Sequence, residues 1–251
     1  MHSRSAHRLA TVLVAAALLS PAAAAPAVAV AATTFGPAHH AAGVALRTVG
    51  GAYNINGYNW GGYAATGSFT SIAASWAEPS VHCNSTSDLY APWVGIDGYS
   101  SSTVEQTGVA TDCSSGAAVY QAWYEMYPAA PVYLSSSSYP VRAGDSVHAS
   151  VTFAGGSTYT LAISDTTRGW TYSTNKTLSR AKRVNAEAII ESPTGRYPNF
   201  GTLTFTAVTA NGAPIGNYNP VAMDPSSGST YEAHASALSG GNSFSMTYEH
   251  E

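Results

Sequence analysis

Charged side chains are scarce in this sequence. Asp, Glu, Lys and Arg make up 10% of its 251 residues, against about 25% in ordinary soluble proteins. A surface with few ion pairs loses little stability when acid protonates its carboxylates, so this composition is compatible with work at low pH. Lys and Arg together number ten, too few for the continuous basic face that nucleic acid requires. The composition therefore excludes nucleic acid as a partner.

The motifs of several common enzyme classes are also missing. The sequence contains no G-x-S-x-G nucleophile elbow, no H-E-x-x-H, no Walker A loop, no G-x-G-x-x-G and no C-x-x-C, which removes the chemistries that those motifs carry. Its eight histidines are scattered without the spacing of metal ligands. We therefore predict a protein that uses neither a metal ion nor another cofactor.

Long apolar runs are absent as well, because none approaches the roughly 20 residues that span a membrane. At the N-terminus, basic residues precede a short apolar run at 9–19 and then an Ala-rich stretch, which is the layout of a secretory signal. Candidate cleavage positions lie near Ala23 to Ala25 and near Ala32. We predict a signal peptide over residues 1–32 and a secreted, extracellular protein that does not bind membranes.

The rest of the chain divides into two parts. Residues 33–55 are rich in Gly, Ala and Thr and show little periodicity, so we predict a propeptide or a disordered arm there. Residues 56–251 are long enough for one domain with a sizeable core, which we expect to be a monomer. The two cysteines, Cys83 and Cys113, belong to a chain predicted to be exported. Oxidising conditions outside the cell favour a disulfide between them.

From Phe69 onward, short runs rich in Thr, Val, Tyr, Ile and Trp alternate with clusters of Gly, Ser, Asn and Pro. No stretch shows sustained apolar periodicity of 3.6 residues, so the pattern predicts an all-β sandwich or barrel with little helix. The predicted strands are 69–76, 91–97, 104–111, 118–127, 146–153, 158–164, 183–191, 201–208 and two weaker runs near the C-terminus.

Polar residues interrupt three of these predicted strands. Because side chains alternate between the faces of a strand, Trp123 and Glu125 share one face of the fourth strand. Glu187 and Glu191 share one face of the seventh, and Gln106 lies on one face of the third. Each residue alone is typical of the solvent-facing half of an amphipathic strand. Together, carboxylates, an amide and aromatic walls on a β face indicate a substrate cleft.

Five motifs occur in order along the chain: NWGGY (59–63), WVGIDG (93–98), EQTGV (105–109), AWYEMYP (122–128) and VNAEAIIE (184–191). In this order they resemble the glutamic peptidase family, also called eqolisins or peptidase family G1. The resemblance covers most of the chain, from about Tyr58 to Val208. It implies a concanavalin-A-like β-sandwich of two curved antiparallel sheets, and a secreted acid endopeptidase that acts on polypeptide substrates.

The resemblance also implies roles for individual residues. It places the family's catalytic glutamine at Gln106 and its catalytic glutamate at Glu187. The residues that match positions lining or supporting the cleft are Trp60, Trp93, Asp97 and Glu125. For Asp97 and Glu125 the alternative is a purely structural role, as polar groups whose hydrogen bonds are satisfied within the fold.

One departure from the family is visible, because family members often carry Trp directly after the glutamate and this chain has Ala188. The resemblance therefore does not determine the shape of the pocket. Glu191, on the same strand face as Glu187, is a rival for the catalytic position.

In the implied mechanism, Glu187 is a general base that is still partly ionised in acid, since the reference pKa of Glu is about 4.3. Gln106 orients the attacking water and donates a hydrogen bond to the oxyanion.

Two other functions fit the same cleft. A glycoside hydrolase would use Glu125 and Glu187 as its carboxyl pair, about 5 to 5.5 Å apart in a retaining enzyme, and would not need Gln106. A carbohydrate-binding module or lectin would stack sugars on the aromatic face without catalysis, since fold does not determine function. The peptidase is the favoured hypothesis, and these two remain as alternatives.

Overall fold

The computed structural model describes Phe35 and residues 45–49, 52–227 and 230–250. Within these ranges the regular structure is almost entirely strand, and the only helix is a 3-10 turn at Ile215–Tyr218. No helix in this part of the chain is long and apolar enough to cross a membrane. The predicted signal peptide lies outside the described residues.

Eighteen strands are present in the described residues. In chain order they are Ala45–Val49 (β1), Ala52–Tyr58 (β2), Trp60–Thr66 (β3), Ser71–Ala77 (β4), Leu89–Ile96 (β5), Val104–Asp112 (β6), Val119–Tyr127 (β7), Val132–Tyr133 (β8), Ser146–Gly155 (β9), Thr158–Asp165 (β10), Trp170–Thr177 (β11), Asn185–Glu191 (β12), Thr202–Ala210 (β13), Ala213–Pro214 (β14), Val221–Ser227 (β15), Thr230–Tyr231 (β16), Ala233–Ala235 (β17) and Phe244–Tyr248 (β18).

The strands form two sheets, as predicted for a sandwich. The larger sheet has the order β1-β2-β15-β3-β12-β5-β6-β7-β8, with β16 paired to β15. The smaller sheet has the order β11-β10-β9-β4-β13-β18-β17, with β14 paired to β13. The described pairings are antiparallel except that of β2 with β15, which is parallel. The site described below lies on the central strands β12, β5, β6 and β7 of the larger sheet.

Apolar side chains from alternate positions fill the space between the sheets. Strand β10 shows the pattern, because its buried positions alternate with half-buried ones. In the larger sheet, Val94, Val109 and Ile190 face this interior. A second buried cluster lies on the opposite, outer face of that sheet and includes Trp93 and Trp123. Strands β5, β6 and β12 are therefore buried on both faces, which explains their continuous burial.

The strands predicted from the sequence are confirmed, with each end of the eight strongest runs within two residues of the structure. The predicted disulfide between Cys83 and Cys113 is also confirmed. Strands β3 and β11 were not predicted, because the glycines of β3 and the polar alternation of β11 suggest loops. Strands β1 and β2 begin before residue 56, in a segment for which the sequence pattern predicted no strand. The assignment of residues 33–55 as a propeptide stays a prediction.

Candidate active site

Four neighbouring strands place one row of residues across the outer face of the larger sheet. Backbone pairing sets Glu187 opposite Gly95, Gly95 opposite Gln106, and Gln106 opposite Glu125. Paired residues of antiparallel strands project to the same face. The three polar side chains of this row are fully buried. The structure thus brings together the glutamine and the two glutamates that the sequence analysis singled out.

Gly95 leaves the middle of this row without a side chain. Neighbouring strands lie about 4.8 Å apart, so two strand spacings separate the Cα atoms of Glu187 and Gln106 by about 9.6 Å. A Cβ atom on Gly95 would lie 3.2 Å from the Cβ atom of Gln106 and 2.8 Å from the Trp93 ring. The glycine therefore maintains a gap between the carboxyl group of Glu187 and the amide of Gln106.

The side chain of Gln106 is oriented by Glu125. Gln106 Nε2 donates to Glu125 Oε2 at 3.0 Å, and Gln106 Oε1 has no hydrogen-bond partner among the described residues. Burial raises the pKa of Glu125 to about 8, against the opposing effect of the hydrogen bonds from the Phe35 backbone and Gln106. Glu125 is therefore a neutral acid throughout the acidic pH range.

Glu187 faces the gap with one oxygen anchored. Its Oε1 atom accepts a hydrogen bond from the backbone N–H of Tyr99 at 3.3 Å, whereas Oε2 has no partner in the part of the chain that the structure describes. Burial raises the pKa of Glu187 well above its ordinary value, and the nearby charges of Asp97 and Glu105 act in the same direction. Once ionised, this carboxylate is a strong base with a free oxygen.

Phe35, from the N-terminal segment, lies against the same row. Its ring stacks on that of Trp123, with centroids 4.2 Å apart and planes inclined by 18°. Its backbone N–H donates to Glu125 Oε2 at 3.2 Å. Its carbonyl oxygen accepts from Gln106 Nε2 at 2.7 Å. Phe35 thus contacts Trp123 with its aromatic side chain and Gln106 with its backbone carbonyl.

A second row, two residues further along the strands, carries the aromatic walls. It pairs Trp93 with Gly108 and Gly108 with Trp123. A Cβ atom on Gly108 would lie 2.2 Å from the Pro92 carbonyl oxygen and 2.7 Å from the Cβ atom of Trp93, so this glycine lets β5 and β6 approach closely. Trp60 packs edge-on against Trp93, with ring centroids 4.9 Å apart. Trp60, Trp93 and Trp123 therefore all belong to the buried cluster around the site.

Glu191 occupies the predicted face but has other partners. Its Oε1 atom accepts from Asn59 Nδ2 at 3.1 Å, and its Oε2 atom accepts from Trp93 Nε1 at 3.1 Å. It lies four residues along β12 from Glu187 and pairs with Ala91 rather than Gly95. The register therefore favours Glu187 over Glu191 as the residue that faces Gln106.

Asp97 supports the start of β12. Its carboxylate accepts hydrogen bonds from the backbone N–H groups of Lys182, Arg183 and Val184 at 2.7, 2.8 and 2.8 Å. These residues directly precede β12, so the contacts help to determine where Glu187 lies. The geometry favours a supporting role for Asp97 over one that lines the cleft.

The sequence matches the Peptidase A4 family over residues 58–248. This chain belongs to that family. The matched region contains all five motifs and the four strands that carry the site. The family resemblance proposed from the sequence is therefore confirmed.

Relatives of this Peptidase A4 chain include two named peptidases. It is 36% identical to scytalidopepsin B of Scytalidium lignicola over 138 residues, which are 53% of this chain and 51% of the relative. It is 29% identical to aspergillopepsin-2 of Aspergillus niger over 198 residues, which are 66% of this chain and 69% of the relative. The first match thus spans about half the length of that relative, and the second about two thirds.

Solved structures support the same placement in the Peptidase A4 family. Scytalido-glutamic peptidase with a transition state analog inhibitor superposes with a TM-score of 0.66 and 26% identity, covering 76% of this chain and 98% of the other. Aspergilloglutamic peptidase from Aspergillus niger superposes with a TM-score of 0.57 and 27% identity, covering 64% of this chain and 99% of the other.

Two features of this Peptidase A4 site were missed by sequence reasoning. The first is Phe35, although it is the sole Phe, Tyr or Trp among the first 52 residues and was therefore a visible signal. The second is Gly95 as a spacer, because its role depends on the register of three strands. Among the described residues, no group of three or more His, Cys, Asp and Glu side chains is arranged to hold a metal ion.

Proposed function

We propose that this chain is a secreted acid endopeptidase whose Glu187 and Gln106 act together on a peptide bond bound between them. The observation that carries the proposal is the row in which these two side chains face one another across Gly95. Similarity to proteins named as glutamic peptidases supports the reaction class. The signal-like N-terminus supports secretion. We further propose that the protein acts as a monomer on polypeptides.

The mechanism uses water as the nucleophile. Glu187 takes a proton from a water molecule as the water attacks the scissile carbonyl carbon. Gln106 Nε2 donates a hydrogen bond to the carbonyl oxygen as negative charge develops there. Glu187 then returns its proton to the leaving amine, and the carbon–nitrogen bond breaks. No covalent enzyme intermediate forms in this scheme.

Glu125 has a positioning role in the proposal. By accepting from Gln106 Nε2, it determines which end of the amide points into the cleft. Its pKa of about 8 means that it is uncharged in acid and becomes an anion as the pH rises through that value. A negative charge beside the developing oxyanion would oppose the reaction. Activity is therefore expected to be lost toward pH 8. It is also expected to fall at low pH, once the pH is below the raised pKa of Glu187, because the base must be ionised.

The glycoside hydrolase alternative fits this geometry less well. Glu125 and Glu187 lie three strand spacings apart, which places their Cα atoms about 14 Å from each other. Gln106 lies between them in the row and bonds to Glu125. A retaining pair requires carboxyl groups about 5 to 5.5 Å apart.

The function is tested by hydrolysis of a denatured protein substrate between about pH 2 and 8, with Gln106→Ala beside the wild type. Loss of the amide donor is expected to lower kcat by about 100- to 1,000-fold, as for removal of one oxyanion donor. The wild type is expected to cleave in acid and not near pH 8.

Gln121→Ala is the matched control, because Gln121 lies on β7 outside the row and its Nε2 donates to the Leu134 carbonyl. We expect it to retain activity within about threefold, since it contacts no reacting group. Full activity in Gln106→Ala would contradict the mechanism. Cleavage of oligosaccharides, with no cleavage of protein at any pH, would favour the glycoside hydrolase over the peptidase.

A methyl group at the spacer position should block the gap. We expect Gly95→Ala to lower kcat/KM by about 10- to 100-fold, because small misplacements of reacting groups are costly and a Cβ atom there lies 2.8 Å from the Trp93 ring. The control is Gly67→Ala at an exposed position, where a Cβ atom would contact only the ring of Phe69. Equal kcat/KM values for both variants would show that the gap is not needed.

A further inference from the structure

Phe35 is held in the site in the manner of a substrate residue. The carbonyl oxygen of Phe35, which accepts from Gln106 Nε2 at 2.7 Å, belongs to the peptide bond that joins Phe35 to Gly36. This is the contact that an oxyanion donor makes with a scissile carbonyl. The Gln106 amide therefore polarises the carbonyl group of the bond between Phe35 and Gly36, as the proposed mechanism requires.

Two further contacts fix Phe35 on the amino side of that bond. Its backbone N–H donates to Glu125 Oε2 at 3.2 Å, which holds the backbone along the row. Its ring stacks on Trp123 and is fully buried. Stacked aromatic pairs contribute binding energy beyond their buried area. Trp123 thus forms a subsite for the side chain of the residue that precedes the polarised bond.

On the other side of the gap lies the proposed base. Glu187 is separated from Gln106 by Gly95 alone, and its Oε2 atom has no hydrogen-bond partner among the described residues. A buried, unpartnered carboxylate oxygen is costly unless water or a substrate group reaches it. A water molecule between this oxygen and the Phe35 carbonyl carbon would satisfy it and would be placed for attack.

We propose that the protein cleaves its own chain between Phe35 and Gly36, and that the Trp123 subsite selects peptide bonds preceded by an aromatic residue. The inference rests on the proposed function. Water adds its oxygen to the Phe35 carbonyl carbon, Glu187 accepts one water proton and passes it to the Gly36 nitrogen, and the bond between them breaks. The products are a fragment that ends in a Phe35 carboxyl group and a chain that begins with the amino group of Gly36.

The sequence around this bond is consistent with the assignment. Phe35 is the sole Phe, Tyr or Trp among the first 52 residues, so no other residue of that segment can place a large apolar ring on Trp123. Strands β1 and β2 follow the proposed cut and belong to the larger sheet. Cleavage at this position would therefore remove the residue that lies in the site and leave every described strand in the product.

The test uses the full chain, purified near pH 8 and shifted to about pH 4 in water enriched in oxygen-18. Intact-mass measurement and N-terminal sequencing are expected to show a new terminus at Gly36. The released fragment is expected to end in Phe35 and to carry one oxygen-18 atom. Hydrolysis of added denatured casein is measured in parallel as an independent readout of the proposed function.

Three variants accompany the wild type. Phe35→Ala removes the stacked ring and is expected to slow this cut by about 10- to 100-fold, the effect of losing one buried aromatic side chain. Phe35→Tyr retains the ring and is expected to restore the rate to within a few-fold. Glu187→Gln is expected to keep residues 35 and 36 joined, which shows that no contaminating protease makes the cut.

The outcomes separate the two proposals. If casein is digested in acid and no chain begins at Gly36, self-cleavage at this bond is rejected and the proposed function stands. If neither casein nor the chain itself is cut, both are rejected. A Gly36 terminus that forms equally fast in Glu187→Gln, or in Phe35→Ala as in the wild type, would also overturn the inference.

Discussion

Replacing Glu187 by Gln is expected to lower kcat by about 1,000-fold or more while leaving the protein folded. The variant removes both the base that activates water and the acid that protonates the leaving amine, and each such proton transfer typically contributes about 100- to 10,000-fold. Burial raises the pKa of Glu187 above its ordinary value, so the carboxylate that acts as the base is in equilibrium with a buried neutral acid. Glutamine is nearly isosteric with that acid, and thermal unfolding in acid should therefore change little.

Glu191→Gln is the matched comparison on the same strand face. Both carboxylate oxygens of Glu191 accept hydrogen bonds, from Asn59 and from Trp93. The variant places an NH₂ group against one of these donors, which is expected to cost about 1–3 kcal/mol of unfolding free energy. Activity of the folded fraction should stay within about tenfold of the wild type. The opposite pattern, with Glu191→Gln inactive and Glu187→Gln active, would reassign the catalytic glutamate.

A second large effect is expected on stability, which should be highest in acid and fall as the pH rises. Burial raises the pKa of Glu78 to about 8 and that of Glu105 to about 9, from an ordinary value of 4.5. The folded state therefore binds these protons more tightly than the unfolded state does. Their stabilising contribution is fully present below about pH 4.5 and is lost as the pH rises through about 8 to 9.

Urea unfolding at pH 4 and pH 8 measures this loss. One pKa unit corresponds to about 1.4 kcal/mol, so we expect the free energy of unfolding to be lower at pH 8 by at least about 3 kcal/mol. Glu105→Gln keeps a neutral group inside the sandwich and should reduce the difference. A wild-type protein equally stable at both pH values would show that these carboxyl groups titrate normally.

Local patterns and motifs were sufficient to predict the fold class and the family. Short runs with alternating apolar residues predict strands, because each strand of a sandwich buries one face. The eight strongest runs match the observed strands closely. The same alternation correctly grouped Trp123 with Glu125 and Glu187 with Glu191, since residues two apart share a face. The five ordered motifs indicated the family that the match over residues 58–248 confirms.

Which of these polar residues face one another depends instead on how the strands pair. The sequence left Glu187 and Glu191 as rivals, because both lie on one face of β12. The register of β12, β5 and β6 distinguishes their positions, since it sets Glu187 in one row with Gly95 and Gln106. The register comes from long-range pairing, which local periodicity does not contain.

The contact between Phe35 and the site likewise depends on the folded chain. Phe35 is separated from Gln106 by 71 positions in the sequence and from Glu125 by 90. No periodic pattern links residues so far apart, because their contact follows from the path of the whole chain. The sequence therefore determines the strands and the chemical groups that they carry. The pairing of the strands determines that an amide, a carboxylate and a backbone carbonyl meet at one place.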